Sequence, residues 1–310
     1  MEMVVSLLLL AVGFGMLIKG AGWFVDGASS IAERFGISQL MIGLTIVAMG
    51  TSAPEAAVSI VAAIKGNADI TIGNIVGSNI LNILIILGIS SVITALAVSR
   101  STILAEIPFM VIITLLLLWQ GADGNIGTID GIILLLFFAG YLGCLIIQAK
   151  RSSALEKTAV KTCRMWRAVI CTGIGFLLII LGSDIVVDAA CAMARILGMS
   201  ERFIGLTIVA LGTSLPELFT SVCAARKGNA DIAIGNIVGS NIFNILFVVG
   251  ISSVVTAVPF SIQFRADTLI AVFAGVLLWI CSVRKQKINR VSGIVMLTGY
   301  LLYFLYIWGR

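Results

Sequence analysis

The fold is decided by a stretch that occurs twice: GTSAPEAAVSI at residues 50–60 and GTSLPELFTSV at residues 212–222. Each copy places glycine, proline and glutamate inside long apolar sequence. Proline lacks an N–H and crowds the carbonyl four residues before it, so each copy predicts a break in a helix. The glutamate that follows would cost about 2.5–3.5 kcal/mol at the centre of a membrane. Irregular polar backbone is tolerated at that depth only where it lines a cavity or is buried in protein.

The composition is that of an integral membrane protein. Of the 310 residues, 60% are hydrophobic and 11% are charged, and the mean hydropathy is +1.15. A spanning helix needs about 20 mainly apolar residues. Runs such as IILLLFFAG at residues 132–140 are apolar on all sides, which argues against membrane-spanning β-strands. We therefore predict an all-α integral membrane protein without a soluble domain. Polar breaks place ten predicted spans at residues 3–31, 38–64, 70–97, 102–120, 127–149, 167–194, 201–225, 231–258, 267–283 and 290–308.

The duplicated stretch belongs to a longer internal repeat. Residues 42–95 align with residues 204–257 at a constant offset of 162, and roughly 40 of these 54 positions are identical. Each half then holds five predicted spans, and because five is odd the second half must enter the membrane from the opposite side. Inverted repeats with interrupted helices at matching positions are typical of secondary transporters. We predict ten transmembrane helices in two inverted five-helix repeats, at residues 1–149 and 167–310, joined by a cytoplasmic linker at residues 150–166.

The basic residues predict the orientation. Lysine and arginine cluster between the fifth and sixth predicted spans and between the ninth and tenth. With the N-terminus outside, 14 basic residues fall on the cytoplasmic side and 5 outside. The positive-inside rule therefore favours external N- and C-termini in a multi-pass protein of the plasma (inner) membrane. Because the basic residues are split among short loops beside the bilayer, they give no support to nucleic-acid binding. We expect the chain to function as a monomer.

Repeated polar residues predict a binding site between the halves. Folding inverted repeats together should bring Glu55 and Glu217 face to face. Carbonyls without helical partners are expected in each half, around Ala48, Gly50 and Thr51 and around Ala210, Gly212 and Thr213. Further oxygen donors lie beside the glutamates or share one face of the following span: Thr51, Ser52, Thr213, Ser214, Asn74, Ser78, Asn82, Asn236, Ser240 and Asn244. Two carboxylates with hydroxyl, amide and carbonyl oxygens suit Ca²⁺, which takes about 6–8 oxygen ligands, and also suit Na⁺.

Parts of this pattern have simpler interpretations. GxxxG spacings at Gly73–Gly77 and Gly235–Gly239 also allow close helix packing, and an intramembrane glutamate could be a protonated packing residue. Asp26 and Asp188 are interpreted as structural pairing residues near an interface, and Lys19 as a snorkelling side chain. The chain has no histidine. Since no constellation of nucleophile and base appears either, we expect neither an enzyme nor a resident cofactor.

The motifs GTSAPE and GTSLPE, each followed by GNIVGSN, resemble the two alpha repeats of the calcium/cation antiporter superfamily. The resemblance is to the sodium/calcium exchanger branch and its prokaryotic members, and it covers essentially the whole chain. It implies a site lined by the second, third, seventh and eighth helices. It also implies alternating access by sliding of the first and sixth helices over that core. Calcium would be extruded at the expense of Na⁺ influx.

The resemblance also implies roles for single residues. Glu55 and Glu217 match the shared ion-binding carboxylates. Side-chain ligands match Ser52, Ser78, Ser214 and Ser240, ligands acting mainly through carbonyls match Ala48, Thr51, Ala210 and Thr213, and the central amide pair matches Asn82 and Asn244. Potassium-dependent members carry aspartate at the position of Asn244. The predicted pocket is therefore one charge less negative than theirs.

Three function classes follow. A Na⁺/Ca²⁺ antiporter is the expected one. A proton-coupled H⁺/Ca²⁺ antiporter is the alternative, because glutamates can carry protons, although that branch resembles a different acidic motif after GN, where this chain has IVGSN. A channel is the third, and duplicated pockets at the bilayer midplane favour alternating access over it.

Overall fold

The computed structural model describes residues 2–155, 165–198 and 210–308, and these residues are almost entirely helical. Numbered in chain order, the helices are α1 (Glu2–Phe35), α2 (Gln39–Thr51), α3 (Ala53–Ile64), α4 (Asp69–Leu81, Asn82–Leu87 and Gly88–Ile93), α5 (Thr102–Glu106, Ile107–Gln120 and the 3₁₀ turn Gly121–Asp123), α6 (Thr128–Leu155), α7 (Met165–Ile196), α8 (Ala210–Thr213), α9 (Leu215–Arg226), α10 (Ala230–Phe243, Asn244–Val249 and Gly250–Val255), α11 (Ile262–Val283) and α12 (Arg290–Trp308).

The helices have the length and composition of membrane spans. Eight of those described are long and apolar enough to cross a bilayer, and α2 with α3 forms a ninth candidate, bent by 50° at its break. α8 and α9 show the same break at Ser214. The predicted span at residues 201–225 begins outside the described ranges, as do residues 156–164 of the predicted linker. The all-α membrane class therefore agrees with the structure, and the count of ten helices stays a prediction.

Two predicted spans end earlier than expected. The spans at residues 70–97 and 231–258 end in helical structure at Ile93 and Val255. Thr94 and Thr256 then adopt extended backbone, with φ of −144° and −154°. The apolar residues beyond them continue the hydrophobic pattern, so composition alone did not mark the helix ends. These residues enter short strands instead.

Four two-residue strands link the two halves, although no strands were expected. They are β1 (Leu96–Ala97), β2 (Asn125–Ile126), β3 (Val258–Pro259) and β4 (Lys287–Ile288), and they pair antiparallel as β1 with β4 and β2 with β3. Strands this short cannot span a membrane, since a spanning strand needs about 9–11 residues. At the repeat offset of 162, β1 corresponds to β3 and β2 to β4. Each half therefore pairs with the other in the same way.

α4 and α10 form the centre of the molecule, and most of their residues are buried. α2 packs across α10 so closely that an added Cβ at Gly239 would lie 2.7 Å from the carbonyl oxygen of Leu44. An added Cβ at Gly235 would lie 2.8 Å from the carbonyl oxygen of Leu40. The second GxxxG spacing therefore serves close packing, as its simpler interpretation holds.

α1 and α7 form a second closely packed pair. An added Cβ at Gly20 would lie 2.9 Å from the carbonyl oxygen of Gly175, and one at Gly175 would lie 2.8 Å from the carbonyl oxygen of Gly20. α1 also packs against α9, whereas α7 makes at most marginal contact with α3 in the described part of the chain. The pair therefore sits asymmetrically on the remaining helices.

Candidate ion-binding site

Both helix breaks place a glutamate in the first turn of a new helix. Ser52 separates α2 from α3 with φ −81° and ψ 6°, and Ser214 separates α8 from α9 with φ −91° and ψ 5°. The proline of each motif lies in the first turn, where a missing N–H breaks no helical hydrogen bond. Glu55 and Glu217 occupy the same first turns. Their carboxylates therefore lie near the positive ends of two helix dipoles, which stabilises negative charge.

Reciprocal hydrogen bonds join each glutamate to the opposite half. Ser52 Oγ donates to Glu217 Oε1 at 2.8 Å, and Ser214 Oγ donates to Glu55 Oε1 at 3.1 Å. All four side chains are at most 1% exposed. The structure thus brings residues 165 and 159 positions apart in the chain into one buried group.

Four buried oxygens in this region have no hydrogen-bond donor. They are Glu55 Oε2, Glu217 Oε2, Asn82 Oδ1 and Asn244 Oδ1, and we call them the oxygen cluster. They form two pairs related by the repeat. An unsatisfied buried acceptor costs about 1–3 kcal/mol, and more when it is charged. The cluster combines two carboxylate and two amide oxygens, which are the ligand types that hard cations such as Ca²⁺ and Na⁺ prefer.

The oxygen cluster lacks a protein counter-charge within the described ranges. No basic side chain there pairs with Glu55 or Glu217, and Lys227 pairs with Asp26. Nor do three or more histidine, cysteine, aspartate or glutamate residues come together there. The described part of the chain therefore shows no basic side chain that balances the two glutamates, whereas protons or bound cations would balance them.

A ring of amides orients the two asparagines of the cluster. Asn244 Nδ2 donates to Asn79 Oδ1 at 3.1 Å, and Asn82 Nδ2 donates to Asn241 Oδ1 at 3.0 Å. Asn79 and Asn241 in turn donate to each other's backbone carbonyl, both at 3.2 Å. Since the nitrogen of each cluster amide is held in this way, its oxygen is the end left free. A π-helical segment begins at each cluster asparagine, at Asn82–Leu87 and Asn244–Val249, and such segments are frequent at functional sites.

The predicted serine ligands of α4 and α10 lie beside the breaks. Ser78 Oγ is 3.5 Å from Ser214 Oγ, and Ser240 Oγ donates to the carbonyl oxygen of Ala48 at 3.3 Å. Both serines are buried. Thr51, another predicted ligand, donates to Asn236 Oδ1 at 3.0 Å.

The expectation that Ala48 has a carbonyl without a helical partner is wrong. Its oxygen accepts the backbone N–H of Ser52 at 3.0 Å in addition to the Ser240 hydroxyl. The proline lies four residues after Gly50, so the carbonyl that loses a donor is further along the helix than Ala48. Of the counterparts in the second half, Ala210 is the first described residue of α8, and Thr213 ends this helix.

The asparagines at the start of the predicted polar face support the breaks. In each half, this asparagine donates to the backbone carbonyl oxygen of the glutamate. It also donates to the hydroxyl of a serine that lies one turn beyond the glutamate, in the helix of the glutamate. The bonds are Asn74 Nδ2 to Glu55 O (3.3 Å) and Ser59 Oγ (2.9 Å), and Asn236 Nδ2 to Glu217 O (3.4 Å) and Ser221 Oγ (2.9 Å). Both asparagines therefore fix the backbone that carries the glutamates.

Sequence reasoning missed three residues of this region and its surroundings. Asn79 and Asn241 carry the amide ring, and their signal was the repeated GSNI, one residue off the face selected by a spacing of four. Glu106 is a further buried carboxyl, 5% exposed, in α5. It has no counterpart in the repeat, where Thr268 occupies the matching position. A search of each span for acidic residues would have found it.

Comparison with known protein families identifies the family of this chain. The sequence model of the family described as "Sodium/calcium exchanger protein" matches it twice, at residues 5–147 and at residues 167–309. The chain belongs to this family. The resemblance carried by GTSAPE and GTSLPE is thereby confirmed, and the exchanger is a multi-pass membrane antiporter of cations.

Similar proteins match this exchanger over nearly their full length. The protein named "Putative antiporter CaxA" from Alkalimonas amylolytica is 38% identical, over 97% of this chain and 98% of the relative. "Sodium/calcium exchanger MaX1" from Methanosarcina acetivorans is 28% identical, over 96% and 97%. A solved structure of the sodium-calcium exchanger NCX_Mj, soaked with Na⁺ and Sr²⁺, superposes with a TM-score of 0.86 at 30% identity, covering 98% of this chain and 99% of that one.

Proposed function

We propose that this exchanger is a Na⁺/Ca²⁺ antiporter in which both ions use the oxygen cluster in turn. The observation that carries the proposal is the cluster itself. Four buried acceptor oxygens, contributed equally by the two halves, lack donors. Oxygen-only coordination matches the preference of Ca²⁺ and Na⁺. Ser52 and Ser214 donate to the two glutamates, and we propose that they bind the ions together with Ser78, Ser240 and carbonyls near the ends of α2 and α8.

The charge of the cluster supports competition between the ions. Two ionised glutamates are balanced by one Ca²⁺ or by two Na⁺, so occupancy by one species excludes the other. The empty cluster would carry two uncompensated charges, each costing about 2.5–3.5 kcal/mol in the membrane. Movement of the empty protein between its two states is therefore disfavoured, and exchange becomes obligatory.

The architecture supports alternating access. We propose ten transmembrane helices in two inverted halves, residues 1–149 and 167–310, with both termini outside and a cytoplasmic linker at residues 150–166. Reciprocal hydrogen bonds and crossed strand pairs are what a twofold relation between the halves would produce. Inverted repeats with a midplane site are typical of transporters in which one bundle moves against another. We propose that one chain suffices for transport.

The direct test is radioactive calcium uptake into proteoliposomes that contain the full chain. Vesicles loaded with Na⁺ are compared with vesicles loaded with K⁺ or choline, and with vesicles that carry only a pH gradient. We expect uptake only when internal Na⁺ is present. Uptake that ignores Na⁺ and follows the pH gradient would refute Na⁺ coupling and support the second candidate, H⁺/Ca²⁺ antiport. One observation favours that candidate: each glutamate keeps one oxygen without a donor, which could carry a proton.

Neutralising variants test the site. Glu55→Gln and Glu217→Gln each remove a cluster charge while keeping the side-chain shape, and both should abolish calcium uptake in folded protein. Glu106→Gln is the matched control, because it neutralises another buried carboxyl that has no hydrogen bond to the cluster among the described residues. Normal exchange by either cluster variant would refute the assignment. Equal loss in the control would show that the effect is not specific to the cluster.

A further inference from the structure

An ion pair is formed at one end of the exchanger, and the matching residues at the other end form none within the described ranges. Lys227 Nζ pairs with Asp26 of α1 and donates to the carbonyl oxygen of Gly22 at 2.8 Å. At the repeat offset of 162, Asp26 corresponds to Asp188 of α7 and Lys227 to Lys65. Within the described ranges, Lys65 and Asp188 are exposed and form no ion pair. The same two charges thus exist twice by sequence, and in the described residues they are joined once.

The two lysines are presented by nearly identical backbone. Lys65 ends α3 with φ −81° and ψ 2°, and Lys227 ends α9 with φ −82° and ψ 0°. Each is followed by a left-handed glycine, with φ of 80° at Gly66 and 79° at Gly228. Local geometry at the lysines therefore does not explain why only one pair is formed. The cause must lie in the position of α1 and α7.

The helix contacts show the same asymmetry. α1 packs against α9, whereas α7 makes at most marginal contact with α3 in the described residues. α1 and α7 are themselves packed backbone to backbone at Gly20 and Gly175, which makes them move together. A shift of this pair that opens the α9 end would carry Asp188 towards Lys65 at the α3 end.

We infer that Asp26–Lys227 and Lys65–Asp188 are alternating latches, each stabilising one of the two access states. This rests on the proposed function, because latches that alternate require a transporter with two states. In the predicted orientation the α9 end is cytoplasmic, so this structure is latched on the inside. The second latch has an additional carboxylate, since Asp184 occupies the position in α7 that matches Gly22 in α1. It should therefore hold its state more firmly than the first.

Hydrogen–deuterium exchange of the full chain in nanodiscs tests the latches without relying on transport. Peptides covering residues 20–30 report the α9 end, and peptides covering residues 182–192 report the α3 end. Asp26→Asn should raise exchange at residues 20–30 and lower it at residues 182–192. Lys65→Gln removes the second latch and should therefore lower exchange at residues 20–30 and raise it at residues 182–192. An exposed ion pair changes a two-state equilibrium by about two- to five-fold. The charge swap Asp26→Lys with Lys227→Asp should restore the wild-type pattern.

The reciprocal change separates a latch from a local contact. A merely structural pair would raise exchange at residues 20–30 alone, and that result would overturn the inference, as would failure of the charge swap. Arg226→Gln is the matched control, because it removes a neighbouring exposed cation that forms no ion pair in the described structure, and it should leave both peptides unchanged. A failed uptake assay together with reciprocal exchange would count against Na⁺/Ca²⁺ coupling and leave the latches standing.

Discussion

The geometry of the amide ring predicts that Asn79 strengthens calcium binding by orienting the Asn244 amide. Asn79→Ala removes the oxygen that holds Asn244 Nδ2 at 3.1 Å. Without it, the Asn244 amide can turn its nitrogen towards the cluster, and ion binding must supply the free energy that orients it. Hydrogen bonds between membrane helices contribute about 0.6 kcal/mol on average and up to about 1.7 kcal/mol. At about 1.4 kcal/mol per tenfold change, the calcium dissociation constant should rise about 3- to 16-fold.

Double-mutant cycles decide whether Asn79 acts through Asn244. In an Asn244→Ala background there is no amide left to orient, so adding Asn79→Ala should have little further effect on calcium binding. Asn241→Ala acts on Asn82 instead. Because Asn79 and Asn241 also donate to each other's backbone carbonyl, the two substitutions should couple, and their combined effect should differ from the product of the single effects.

Calcium titration by calorimetry on purified protein measures both cycles, and thermal unfolding in the absence of calcium checks that each variant is folded. An Asn79→Ala effect of the same size with and without the Asn244 side chain would refute the orienting role. So would an unchanged dissociation constant in folded Asn79→Ala protein. Either result would make the ring a packing feature.

The remaining predictions concern charge, symmetry and packing. Asn244→Asp adds a negative charge to the cluster and should tighten calcium binding by about tenfold or more, since charges about 4 Å apart interact by several kcal/mol at an effective dielectric constant of 20. An unchanged ion profile in calorimetry would place this residue away from the ions. Ser52→Ala and Ser214→Ala should raise the calcium concentration for half-maximal uptake by similar factors, because their bonds to the glutamates are reciprocal; strongly unequal effects would contradict a shared site. Gly20→Ala should lower the free energy of unfolding by about 1–3 kcal/mol, because the added Cβ would press on the backbone of α7. Gly15→Ala, on the open face of the same helix, should be neutral or stabilise by up to about 1 kcal/mol, and a loss there would show that glycine flexibility is required instead of close packing.

The repeat made much of this molecule predictable. A proline and a glutamate in the same apolar context, recurring at an offset of 162, placed both helix breaks and indicated that two carboxylates meet between the halves. These signals survive in the sequence because the chemistry at each position is unusual for a membrane. Burying Glu55 or Glu217 without a function would be costly, so their presence is informative by itself.

Other features depend on geometry that residue types do not encode. Ala48 was expected to expose its carbonyl, but the helix continues to Ser52, and the position of a break within a few residues is set by packing against α10. The amide ring was missed because hydrogen bonds between Asn79 and Asn244 cross from one half to the other. Both ion pairs use the same residue types, an aspartate and a lysine, so residue type alone does not show which pair is formed in this structure.

Competition at the oxygen cluster is tested most directly by calcium binding to the purified exchanger at increasing Na⁺ concentration. With one shared cluster, Na⁺ should raise the apparent calcium dissociation constant without limit and leave the number of calcium sites unchanged. Glu55→Gln should bind no calcium in the same range, and Glu106→Gln should behave as the wild type. Calcium binding that is insensitive to Na⁺, or that reaches a plateau at which both ions are bound, would contradict a single shared site.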